Sequence, residues 1–298
     1  MFVAKNSKIF VGILVLLIAV SLLSVWKFGL NLGMDFTGGS LLEVEYPNGR
    51  PDLEKIKSAI STLNLSETVQ PYGERGLIIK ARDLKESDRA TLVQSLAIDG
   101  AQVEDKRFNS VGPTIGKELK TKSIYSIILV LLAIGAFVAF AFRHVSGAVK
   151  SWKYGVATLV SLAHDVFVPL GIFAYLGHRY GIEIDSLFVT AILTILGFSV
   201  HDTIVVFDRI RENLKLRKFK DFTETVGKSI EQTLSRSINT SLAVILTLVA
   251  LLWFGSESVR YFCLALIVGI FCGTYSSILL ASPLLVVLQN PTAEKGKK

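Results

Sequence analysis

Three stretches of this chain place ionisable side chains inside long apolar runs: His164-Asp165, His201-Asp202 and Arg236. A charge in hydrocarbon costs several kcal/mol unless it is paired, so such residues mark ion pathways or structural pairs. The helical rise gives their depth. Asp165 falls about 10 residues into its apolar segment, near the midpoint. Asp202 falls a few residues before Phe207, on a segment running the other way, roughly 7 Å inside its basic end. Arg236 opens the next segment on that same side, and its long side chain can reach inward. Asp202 and Arg236 are therefore candidates for a pair at matching depth. Two readings stand. In a protonation switch, ionised Asp202 attracts Arg236 and protonated Asp202 lets the helices shift. In the other, a permanent ion pair fixes their packing.

Other chemistry fits less well. Adjacent helical residues point about 100° apart, so His201 and Asp202 do not easily converge on one metal ion. No HExxH or Cys-rich spacing is present, so neither metal nor cofactor is expected. Two membrane aspartates also invite comparison with a protease dyad that shares a proton. Their estimated depths differ by several residues, which weighs against it. The expectation is a chain without enzymatic turnover.

The segments holding these residues are of membrane grade. A bilayer core needs roughly 20 consecutive apolar residues in a helix, and six segments meet or approach that: Ile9–Trp26, Ser123–Phe142, Gly155–Gly177, Ser186–Phe207, Ser237–Phe254 and Tyr261–Leu288. The first follows Lys5 and Lys8, but no small-x-small cleavage site follows it, so a retained signal-anchor is expected. Cys263 and Cys272 lie nine helical residues apart, about 13 Å, beyond disulfide reach. Pro169 and Pro283 are expected to kink the third and sixth segments.

The net charge of +7 does not point to nucleic acid, because the excess sits beside the membrane segments. Lys5, Lys8, Arg143, Lys150 and Lys153 lie on one side, with the segment 208–235 and Lys295, Lys297 and Lys298 of the tail 289–298. Only Arg179 and Arg260 occupy the short loops opposite. The positive-inside rule then sets both termini in the cytoplasm. Residues 208–235 are expected as a cytoplasmic loop, at the lipid headgroups or at a partner.

The long stretch 29–122, after an N-terminus and first helix spanning 1–28, falls outside the cytoplasmic membrane and carries 13 Lys+Arg against 14 Asp+Glu. "SLLEVEYP" alternates as a half-buried strand does. "PDLEKIKSAISTLN" opens with a helix-start signal and sets Leu53, Ile56, Ile60 and Leu63 on one face. "ETVQPY" and "GLIIKARD" read as strands about Gly73, "KESDRATLVQSLAI" as a second helix, and "AQVEDKRFNSVGP" as a last strand. The order β-α-β-β-α-β predicts an α+β ferredoxin-like domain. The bundle resumes over 123–288.

Two motifs remain. "GMDFTGG", with Asp35, Phe36, Thr37, Gly38 and Gly39, joins the first helix to the external domain, where paired glycines permit a sharp turn. "FSVHDTIVVFDRIREN" closes the fourth helix and includes Asp208, Arg209, Arg211 and Asn213. With the six-helix layout, they closely resemble the SecF family, the smaller subunits of the bacterial SecDF protein-export complex within the RND superfamily. The resemblance implies a homologous six-helix SecD partner and an inner-membrane location. It further implies work beside the SecYEG channel and the SecA ATPase, with the proton-motive force completing preprotein movement. In that picture Asp202 belongs to the proton pathway, Arg236 is its companion, and Asp165 matches a polar position. The family commonly has Asn where this chain has His201. An imidazole there either joins the relay or substitutes as a neutral hydrogen-bonding group. The alternatives are an RND-type exporter of small molecules or lipids, and a purely structural scaffold.

Overall fold

The computed structural model describes residues 2–61, 63, 66–82, 84–143 and 149–289. Lys295, Lys297 and Lys298 of the tail lie outside the described residues, as do Thr62, Asn64 and Asp83 at the edges of expected elements. The chain divides into two compact units, one running to Asn31 and resuming at Tyr125, the other Leu32–Ile124.

A short α1 (Phe2–Lys5) precedes α2 (Ser7–Phe28), the first of six helices long and apolar enough to cross a membrane. The one-turn α3 (Met34–Thr37) follows. The second unit then runs β1 (Gly39–Glu45), α4 (Leu53–Ser61), β2 (Ser66–Tyr72), β3 (Gly76–Ala81), α5 (Glu86–Leu96) and β4 (Glu104–Val111). The sheet order is β2-β3-β1-β4, and every neighbouring pair is antiparallel. This is the ferredoxin-like arrangement. Alternation in β1 sends Leu42 and Val44 into a core shared with Ile56 and Ile60 of α4, Leu77 and Ile79 of β3, and Leu92 and Leu96 of α5. The glycine pair has a steric reason. Gly38 (φ +79°) and Gly39 (φ +136°) both occupy backbone that L side chains rarely adopt. A Cβ on Gly38 would also fall 2.7 Å from the Pro113 Cα.

Five further spans complete the bundle: α6 (Pro113–Ala141), α7 (Ser151–Tyr180), α8 (Ser186–Lys215), α9 (Phe222–Phe254) and a broken last one. That last span is α10 (Glu257–Ser276), a π-turn (Ser277–Ala281) and α11 (Ser282–Val287), with Pro283 opening α11. Pro169 stays inside a continuous α7. Having no N–H, it leaves the carbonyl of Asp165, four residues earlier, without its helical donor.

Small residues let the helices approach. Ser24 Oγ of α2 donates to the Gly171 carbonyl of α7 at 2.8 Å, and a Cβ on Gly171 would fall 2.7 Å from the Ser21 Cα. The first apolar segment is thus packed into the bundle. Gly269 and Gly273 of α10 press on Ile195 and Ser199 of α8 in the same way.

Residues 208–235 do not form the expected loop. α8 continues to Lys215, and α9 begins at Phe222, with the Asp221 carboxylate accepting from the Glu224 N–H at 2.6 Å. The pairs Arg209–Glu212, Arg211–Asp208 and Lys228–Glu231, each three residues apart, stabilise these extensions. Charge ends an apolar run without ending the helix.

Candidate functional site

Asp165 and Asp202 both lie near the middle of their 30-residue helices. α8 extends another two turns past Phe207, so Asp202 lies mid-helix although the apolar run ends at Phe207. The two aspartates are bound to consecutive residues of the last span. Ser276 Oγ donates to Asp165 Oδ2 at 2.9 Å, and Ser277 Oγ to Asp202 Oδ2 at 2.5 Å. These serines straddle the junction where α10 becomes the π-turn, a local widening frequent at functional sites.

Each carboxylate has a second hydroxyl donor. Ser199 of α8 reaches Asp165 Oδ2 at 2.5 Å. Ser237 of α9 donates to Asp202 Oδ1. Asp165 Oδ1 also meets His164 Nδ1 at 2.9 Å, and His164 Nε2 lies 3.2 Å from the Tyr275 hydroxyl. Asp165, His164, Ser199, Ser276 and Ser277 are wholly buried, and Asp202 is 8% exposed. Among the described residues each carboxylate is bound by its own pair of serine hydroxyls.

The expected Asp202–Arg236 pair is absent among the described residues. The reason is helical phase: α9 buries Ser229, Thr233, Ser237 and Ser241 at four-residue spacing, and Arg236 points about 100° away from Ser237. Arg236 instead lines an open cleft of about 410 Å³ with Asp208, Arg209, Glu212, Gln232 and Thr233. Thr233 forms part of its lining, one turn along α9 from Ser237. His201 is exposed, on the side of α8 turned from Asp202. The histidine that touches a membrane aspartate is His164.

The rest of the fourth-helix motif clamps α8 to α9. Asn213 Nδ2 donates to Ser229 Oγ at 2.8 Å and to Gln232 Oε1 at 2.9 Å. Arg209 Nε donates to the same Gln232 oxygen at 2.6 Å. Arg211 pairs with Asp208 and lies over the Phe142 ring. In the glycine motif, Thr37 Oγ1 donates to the Gly33 carbonyl at 3.1 Å, Phe36 is buried, and Asp35 lies in the first turn of α3. Sequence reasoning missed Ser199, Ser237, Ser276, Ser277 and Tyr275. Serine in an apolar helix ordinarily bonds back to its own turn, so nothing marked these as partners of a carboxylate.

Comparison with known proteins agrees with this layout. The family profile described as protein export membrane protein SecD/SecF, C-terminal, matches residues 92–291, and the SecD/SecF GG motif matches residues 23–46. The chain is 45% identical over 277 residues to protein translocase subunit SecF of Thermobaculum terrenum, covering 88% of this chain and 86% of that one. Identity to the SecF subunit of Anaerolinea thermophila is 38%, over 95% of this chain and 92% of that one. The crystal structure of SecDF, a translocon-associated membrane protein from Thermus thermophilus, superposes with a TM-score of 0.79 at 33% identity. That match takes in 95% of this chain but only 38% of the longer SecDF chain. With the family profile spanning residues 92–291, the glycine motif matched at residues 23–46 and a relative 45% identical over 88% of the chain, the chain belongs to the SecF family of protein translocase subunits.

Proposed function

We propose that this chain works with a SecD-like subunit to couple the proton-motive force to preprotein movement through SecYEG, after the SecA-driven step. It does so without enzymatic turnover. Both termini then lie in the cytoplasm of a bacterial inner membrane, and residues 29–122 on the far side, as the distribution of Lys and Arg supports.

One observation carries the reading. Asp202, near the middle of the bundle, is held by two serine hydroxyls and, among the described residues, by no cation. A lysine or arginine partner can only donate, and so favours the anion. A serine hydroxyl donates to a carboxylate and accepts from a carboxylic acid by rotating about its C–O bond. The same two partners therefore serve both protonation states, which is what a group that loads and releases a proton requires. Ser277 also donates at 2.9 Å to the Thr274 carbonyl, giving its hydroxyl an alternative when Asp202 no longer accepts. Gain or loss of a proton thus changes what holds α9 and the π-turn to α8, so helix motion follows.

Difference infrared spectroscopy on the complex with its SecD-like partner tests this. A carboxylic-acid carbonyl band that appears on acidification and is missing from Asp202→Asn is expected. A band set unchanged by that substitution contradicts the proposal.

A further inference from the structure

The buried hydroxyls near Asp165 continue beyond its own partners. Along α7, Tyr154, Thr158, Ser161 and Asp165 recur at spacings of four, three and four, one face of a helix, and all are fully buried. Along α8, Ser199, Thr203 and Phe207 recur every four residues, also fully buried. The two faces meet at both ends. Ser199 donates to Asp165, and the Phe207 ring packs edge-on to the Tyr154 ring with centroids 5.2 Å apart. Thr203, midway between those contacts on α8, therefore lies opposite the Ser161–Thr158 stretch of α7.

Two hydroxyls in this seam, Tyr154 Oη and Thr203 Oγ1, are buried without a hydrogen-bond partner among the described residues. Leaving one such group unpaired costs about 1–3 kcal/mol, and ordered water characteristically satisfies it. Between them, Ser161 Oγ lies 3.0 Å from Ser276 Oγ and Thr158 donates to the Tyr154 carbonyl at 2.9 Å, and each oxygen keeps capacity to accept. The seam spans about 16 Å from Asp165 to Tyr154. Tyr154 sits in the first turn of α7, at the basic end of the bundle.

We infer that Ser161, Thr158, Thr203 and Tyr154, bridged by water, carry protons between Asp165 and the basic end of the bundle. The inference rests on the proton-coupled reading above. Along such a line each oxygen gains an O–H bond on one side as it gives up another on the far side. Every hydroxyl and water is neutral once the proton has passed, and nothing is oxidised or reduced.

Thr203→Val and Tyr154→Phe remove the two unpaired hydroxyls at nearly constant shape. The complex with the SecD-like partner, carrying either variant or both, would be reconstituted with the translocon and compared with Asp202→Asn. Assembly close to wild type is expected, because Val and Phe keep the shapes of Thr and Tyr and only a water-bridging hydroxyl is lost. The gradient-stimulated part of translocation falls several-fold, the gradient-independent part is unchanged, and Thr203→Ser restores the stimulation. Should one variant fail to assemble, the other carries the test, because each interrupts the same line. Full gradient stimulation in the variants, with its loss in Asp202→Asn, overturns the path and leaves the proton reading standing. Full stimulation in Asp202→Asn overturns both.

Discussion

Ser199 donates to the Asp165 carboxylate at 2.5 Å from a position one helical turn before Asp202. Two membrane aspartates on neighbouring helices are thereby tied through α8 as well as through the adjacent serines of the last span. A change of protonation at either one acts on a helix segment that also positions the other.

Ser199→Ala removes one of the two hydroxyls on Asp165 Oδ2 and leaves Ser276. The expected loss is about 1–3 kcal/mol in stability of the assembled complex. In a double-mutant cycle with Asp165→Asn, the combined loss falls short of the sum, because both changes break one contact. Strict additivity in detergent unfolding contradicts the contact.

Gly273 exists to let α10 approach α8. A Cβ there would lie 2.8 Å from Ser199 Cβ, while one on Gly197 would meet nothing within 4 Å. Gly273→Ala is expected to destabilise by about 1–3 kcal/mol, and Gly197→Ala to be neutral or mildly stabilising. Equal effects from the two would count against the packing.

At the double-glycine turn, Gly38→Ala meets both a φ of +79° and the Pro113 backbone at 2.7 Å. Gly49→Ala meets a φ of +102° with open space around it. The second should cost about 1 kcal/mol and the first clearly more, read as the difference in unfolding midpoint.

How far the sequence carried depends on the kind of interaction. The β-α-β-β-α-β order was legible because alternation in "SLLEVE" and the one-sided spacing of Leu53, Ile56 and Ile60 are local patterns imposed by burial. The glycine motif was legible as a turn. Asp165 and Asp202 stood out because carboxylates are rare in hydrocarbon. Their partners did not, because which hydroxyl faces which carboxylate depends on helix phase and on the π-turn before Pro283. Arg236 was the natural counterion by depth, yet Ser237, one residue later, holds the facing position. The lengths of α8 and α9 exceed their apolar runs because charged residues at i,i+3 continue a helix where its apolar face ends.

In the unit Leu32–Ile124, burial raises the Tyr46 phenol to about 12, against a smaller lowering by Arg50, and its hydroxyl donates to the Leu96 carbonyl at 3.2 Å. The value in the fold exceeds the ordinary one of about 10. Its contribution to stability is therefore complete below about pH 10 and is lost as pH rises through about 12. The stability difference between wild type and Tyr46→Phe should shrink across that window. A difference independent of pH would contradict it.

The most direct test follows late-stage preprotein translocation in membrane vesicles containing the translocon, the SecD-like partner and Asp202→Asn, with and without a proton gradient. The substitution is nearly isosteric and removes only the titratable group. The account predicts normal assembly, an intact gradient-independent rate and loss of the gradient-dependent component. Translocation still fully stimulated by the gradient would make Asp202 a packing residue and contradict proton coupling through this site.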